Sequence, residues 1–246
     1  MSTELPFAYH IRRSQRASRA RIVVKPGQVE IVAPFQVPEH KLHQFVQAKQ
    51  QWITQALNKM AAASPQQTDF VPAQYKTGAE MTYLGNHYPL MLKPSKLKRV
   101  KVEFADGYTI HVPDAMKPDD CQPAIREAMI RWMKKQTKQH VEQMVEIHAS
   151  KQQLFPRAIT IKTQKSRWGS CGIHNDININ WLLIMAPKEV LEYVVVHELC
   201  HIKVKNHSSK FWSLVAEHMP DYQNRRNWLK KQGRSLMLAF SDQPDR

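Results

Sequence analysis

Apolar and polar positions change rhythm part-way along the chain. Up to about residue 113 the apolar residues fall in short β-prone runs at 8–13, 20–25 and 29–33, with Pro26-Gly27 marking a turn between the second and third. One helical stretch interrupts this pattern. From Glu39 to Ala62 the residues Leu42, Phe45, Val46, Trp52, Ile53, Leu57 and Met60 keep the spacing of a helix face, and Pro38 precedes them as a start signal. After the polar, proline-containing segment 63–77 come two hairpin patterns. M-T-Y-L-G-N-H-Y-P-L-M-L is expected to turn at Gly85-Asn86, and R-V-K-V-E-F-A-D-G-Y-T-I-H-V at Asp106-Gly107.

The prolines and acidic residues from Pro113 to Asp120 suit a linker and the start of a long helix over about 121–149, with Pro123 in its first turn. A-I-T-I-K-T then reads as a strand, S-R-W-G-S-C-G as a sheet corner and I-N-I-N-W-L-L as a second strand; Pro187 opens another helix. The expected fold is α+β. A β-rich unit with one helix, residues 1–113, precedes a domain at 114–246, whose order of helix, strand, strand, helix and helix lets the sheet form a wall for the later helices.

That later helix carries the chemistry. Leu191, Val195, Leu199 and Ile202 make one apolar stripe, and Val194, His197 and His201 a neighbouring one. His197 and His201 are separated by about 40° on a helix, one turn above the other, where two imidazoles can hold one ion. With Glu198 they form H-E-x-x-H, the arrangement in which two histidines bind zinc and the glutamate takes a proton from a zinc-activated water. His207 is the candidate third ligand if the helix ends first; Asn206 is the expected left-handed terminator, with Lys203 and Lys205 favourable at the dipole's negative end. Glu217, sixteen residues past His201, is a rival. The cysteines Cys121, Cys171 and Cys200 form no metal-binding pair, so three histidines would leave a coordination position open, as catalytic sites do.

Composition sets the context. No apolar run approaches the roughly 20 residues of a membrane span, so no membrane partner is expected. The N-terminus M-S-T-E-L-P-F lacks a signal peptide's apolar region, and three widely spaced cysteines suggest no disulfide framework; the expected compartment is the cytoplasm. With 36 Lys and Arg against 21 Asp and Glu, the net charge of +15 favours polyanions, making DNA or RNA a candidate partner.

S-R-W-G-S-C at 166–171, L-E-Y-V-V-V-H-E-L-C-H, N-H-S-S-K-F-W at 206–212 and P-D-Y at 220–222 resemble the YgjP-like metallopeptidase family, related to the SprT-like proteases. Y-H-I-R-R-S, the K-P-G turn, W-I and Y-L-G extend the resemblance over nearly the whole chain. It implies a zincin-type domain, zinc (Zn2+) held by His197, His201 and His207 in preference to Glu217, and hydrolysis of a protein or peptide substrate. One departure stands out: Asn175-Asp176 occupies the place before the second strand where the family tends to have glycine.

For substrate binding, Arg167, Trp168 and Gly169 are expected to rim the cleft beside an edge strand, with Tyr222 or His218 as an electrophile assisting the metal. The leading expectation is therefore a zinc metallopeptidase with Glu198 as general base, acting near nucleic acid. The alternative is a nucleic-acid-binding protein with a mainly structural zinc, a role in which Glu198 would have no use.

Overall fold

The β-prone runs at the start of the chain form β1 (Tyr9–Arg13), β2 (Arg21–Lys25) and β3 (Gln28–Ala33). The computed structural model describes residues 5–25, 27–62 and 70–240; Pro26, the side chain of Met60 and residues 63–69 of the polar segment lie outside the described residues. Gly27 has φ +68, as a tight turn into β3 requires. The strands are ordered β1-β3-β2, with β1 parallel to β3 and β2 antiparallel to it. The single helix expected over 39–62 is two, α1 (Glu39–Ala48) and α2 (Gln50–Ala62), because Lys49 leaves helical geometry at φ −107, ψ 9. Val29, Ile31, Ala33, Leu42, Val46 and Ile53 make the core of this part, whereas Trp52 of the expected helix face is exposed.

Contacts divide the chain into two compact units, Met1–Gln66 and Gln67–Arg246. Residues 80–113, grouped by sequence pattern with the N-terminal unit, thus lie in the second. They form β4 (Glu80–Tyr83), β5 (Asn86–Ser95), β6 (Lys101–Phe104) and β7 (Tyr108–Pro113) in the order β4-β5-β7-β6. The two hairpins join through a parallel β5–β7 pairing. The first turn is centred one residue earlier than expected, on Leu84 and Gly85, both with positive φ, the geometry that matches strand twist in a two-residue hairpin loop. Tyr83, Phe104 and Tyr108 of this sheet pack edge-on or tilted around Trp132 of the next helix, joining the two in one core.

That helix, α3 (Pro118–Gln152), starts three residues before the expected position because Pro118 serves as its first residue; Pro123 consequently lies inside it. Its buried residues include Ile125, Met129, Met133, Thr137, Val141, Met144 and His148, a stripe at helical spacing. The Thr137 hydroxyl, on that stripe, lies 3.2 Å from the carbonyl oxygen of Trp181. Next come β8 (Ala158–Lys162), β9 (Gly169–Cys171) and β10 (Asp176–Asn180), ordered β8-β10-β9, which leaves β9 at an edge. Asn175 takes the left-handed φ of 64 in the β9–β10 turn, a conformation asparagine tolerates, so the departure from glycine is accommodated. The expected second strand ends at Asn180; Trp181–Met185 coil into a buried 3-10 turn.

The remaining helices are α4 (Lys188–Lys203), α5 (Ser209–His218) and α6 (Tyr222–Leu238). Helix α4 is buried on nearly all sides, against α3, α5, α6, β9 and β10. Its N-terminal end is braced by the β4–β5 turn. Leu84 donates its N–H to the Ile184 carbonyl at 2.7 Å, and a Cβ on Gly85 would lie 2.9 Å from Pro187 Cα. Among the described residues no helix is long and apolar enough to cross a membrane.

Candidate metal centre

His197 and His201 project from one face of α4 by virtue of their four-residue spacing. The helix stops directly after them, but not as expected. Val204 turns extended at φ −131, ψ 104, while Asn206 keeps a negative φ and uses its side-chain oxygen to accept from Ser208 N at 3.2 Å, shaping the turn into α5. This reversal returns His207 to the other two rings. His207 Nε2 lies 3.0 Å from His197 Nε2 and 3.2 Å from His201 Nε2. Nitrogens bound at ~2.0–2.1 Å to one tetrahedral ion would be about 3.3 Å apart, so the triad has the spacing of a ligand set. Glu217 is not part of this cluster.

Packing and hydrogen bonds orient the rings. His201 Nδ1 donates to the Val204 carbonyl at 2.9 Å, which leaves its Nε2 as a lone pair. Phe211 stacks on His201 at 4.3 Å and meets His197 edge-on at 4.9 Å; Trp212 stacks on His207 at 5.6 Å. Burial, reinforced by the charges of His201, His207 and Arg226, lowers His197 to about 3, and burial lowers His201 as well. Both are therefore neutral at ordinary pH, the form that binds metals.

Glu198 is 4% exposed, and its Oε2 is buried with no hydrogen-bond partner. Burial pushes its carboxyl up to about 8. The close neighbour is Gly169, where an added Cβ would fall 2.6 Å from Glu198 Oε1. Beside these groups opens a cleft of about 350 Å³, whose walls include Arg167, Trp168, Gly169, His197 and Glu198. Its rim is held by Asn180, which is fully buried and donates from Nδ2 to the Gln164 and Arg167 carbonyls at 2.8 and 3.0 Å.

A family description, YgjP-like, metallopeptidase domain, matches residues 18–232. The chain belongs to that family. As a YgjP-like protein it is a metal-dependent peptidase, with protein or peptide as its substrate class. Two solved structures show local similarity. The metallopeptidase zymogen abylysin of Pyrococcus abyssi is 23% identical, covering 37% of this chain and 95% of its own, with a TM-score of 0.34. The metallopeptidase zymogen jannalysin of Methanocaldococcus jannaschii is 22% identical, covering 38% and 95%, with a TM-score of 0.33. Among curated proteins no match is found.

Family membership implies a divalent metal, and the residues fit one: three Nε2 atoms converge beside a buried carboxyl that no protein group satisfies. Arg167, Trp168 and Gly169 join His197 and Glu198 in this YgjP-like cleft. Tyr222 does not line it. Its ring is 8% exposed and stacks on Trp212 at 5.5 Å, supporting the aromatic that backs His207. The charged neighbours of His218 are Glu217, Lys151, Lys203 and His148, none of them part of the cleft. Lys205 reaches away from the helix end to Gly172 O at 3.0 Å and Asn175 Oδ1 at 2.8 Å, fastening the β9–β10 turn.

Sequence reasoning missed Tyr193, Arg226, Leu229 and Lys230 as cleft residues. Their signal was available but weak. Tyr193 precedes His197 by four, and residues 226, 229 and 230 have the spacing of one helix face.

Proposed function

We propose that this chain is a cytoplasmic zinc peptidase in which His197, His201 and His207 hold the ion and Glu198 is the general base. The observation that carries this reading is the meeting of three imidazole Nε2 atoms next to a buried, unpartnered carboxyl at the wall of an open cleft. Zinc there would lower the pKa of water and polarise a peptide carbonyl. Glu198 takes a proton from the attacking water as its oxygen bonds to the carbonyl carbon, then delivers that proton to the amine nitrogen as the C–N bond breaks. A divalent cation held by the three histidines beside it would favour the ionised carboxylate that accepts the first proton. The edge strand β9 offers unpaired backbone for an extended peptide, with Arg167, Trp168 and Gly169 at its start.

These groups all fall within 114–246, the part of the second compact unit to which we assign the peptidase chemistry. The free state of Cys121, Cys171 and Cys200 supports a reducing compartment. The +15 charge supports a sequence-independent affinity for DNA or RNA that weakens as salt rises. The structural-zinc reading shares the charge but leaves Glu198 without a task.

Glu198→Gln tests the assignment. Glutamine keeps the shape but accepts no proton, so zinc content should persist while cleavage of an unfolded protein falls by at least about a hundredfold. Cleavage at the wild-type rate would reject Glu198 as base.

A further inference from the structure

The cleft has an uneven charge. Arg167, Arg226 and Lys230 line it, and its single acidic residue is Glu198, already enclosed against Gly169. Among the described residues none of the three cations forms an ion pair, whereas the adjacent Arg225 is paired with Asp221. Arg226 is held in place without being neutralised. Its guanidinium carbon lies over the Trp212 ring, 4.2 Å from the centroid, a contact that positions the cation and leaves its charge in place. Like charges gathered on a concave, partly apolar wall concentrate the potential there and favour an anion. The planar fork of arginine matches a carboxylate.

We propose that this cleft binds a carboxylate of the peptide substrate next to the scissile bond, with Arg226 as the main contact and Arg167 and Lys230 reinforcing it. The proposal rests on the peptidase reading and specifies its substrate class: peptides with an acidic side chain, or a chain end, at that position. Tyr193, also in the wall, carries a phenolic hydroxyl, a neutral donor of the kind that can assist in holding the same group.

The test uses matched blocked peptides in which Glu, Gln or Lys is placed at each position in turn, and a Gln peptide with a free or amidated C-terminus. Cleavage is measured with the zinc-loaded wild type, and binding by fluorescence anisotropy with zinc-loaded Glu198→Gln. One carboxylate position should raise kcat/KM and affinity by about tenfold or more over its neutral counterpart, the contribution of one hydrogen bond to a charged group. A gain from internal Glu assigns the pocket to a side chain; a gain from the free terminus assigns it to a chain end. The ratio should collapse toward one in Arg226→Gln, shrink in Lys230→Gln, and invert in favour of Lys peptides in Arg226→Glu. Zinc content and melting temperature identify any variant that has lost its fold, and Lys230→Gln, which removes no aromatic stacking, remains informative in that case.

Cleavage with no charge preference, or a preference unchanged by both Gln variants, overturns the pocket while leaving the peptidase reading in place. No cleavage of any peptide, with a persistent Arg226-dependent binding preference, overturns the peptidase reading and supports the pocket.

Discussion

Gly169→Ala puts the packing around Glu198 to a direct test. The new Cβ would sit 2.6, 2.8 and 2.9 Å from Glu198 Oε1, Cγ and Cδ, up to about 0.8 Å inside the 3.4 Å where ordinary contact begins. Neither side yields freely: Glu198 is on a helix buried nearly all round, and Gly169 is paired with Ile179 in the sheet. Overpacking of this kind costs about 1–3 kcal/mol, or a fall in Tm of ~2–12 °C for a unit of this size. The effect on catalysis should be larger if Glu198 is the base proposed above, since displacing a reacting group by about 1 Å costs roughly a hundredfold. The assays are thermal unfolding and kcat/KM on zinc-loaded protein, with Gly172→Ala as control because its nearest neighbour, Asp176 O, is at 3.7 Å. In a Glu198→Ala background the stability cost of Gly169→Ala should largely vanish, giving a coupling of ~1–3 kcal/mol. Wild-type Tm and kcat/KM within threefold for Gly169→Ala would refute the idea that β9 positions the base.

Asn180→Ala strips partners from the Gln164 and Arg167 carbonyls and from Leu182 N, so urea denaturation should register a loss of about 2–4 kcal/mol and kcat/KM should fall as the cleft rim loosens; a loss under about 0.5 kcal/mol would contradict this role. His207 is exposed, so His207→Ala should keep the fold yet bind zinc more weakly in metal analysis, and full retention of zinc would pass the third position to another group. Cys200 is fully buried, so alkylation under native conditions, read by mass spectrometry, should reach Cys121 and Cys171 but spare Cys200 until the protein unfolds.

Particular elements separate what could be read locally from what could not. The Asp106-Gly107 hairpin, the long third helix and the His197–His201 pair rest on turn chemistry or helical spacing within a few residues, and each is found near its expected place. The apolar W-L-L after Asn180 reads as strand because a short buried run carries no periodicity, and its 3-10 form goes with packing against α3, α4, α6 and β4. The helix end expected at Asn206 falls at Val204, which turns extended and whose carbonyl accepts from His201 Nδ1, a contact that local terminator preferences do not reveal.

The residue types, spacing and charge of the chain by themselves determined the zinc-ligand candidates, the general-base candidate and most of the succession of helices and strands, apart from the break at Lys49 and the 3-10 turn at Trp181–Met185. Tertiary structure alone decided that residues 80–113 join the second unit, that Gly169 closes over Glu198, and that Arg226 and Lys230 of α6 face the same cleft as Arg167. The physical reason is range. Periodicity and turn preference act within one or two turns of chain, whereas burial, the pKa of a carboxyl and the charge of a cleft depend on groups far apart in sequence, brought together only when the whole core packs.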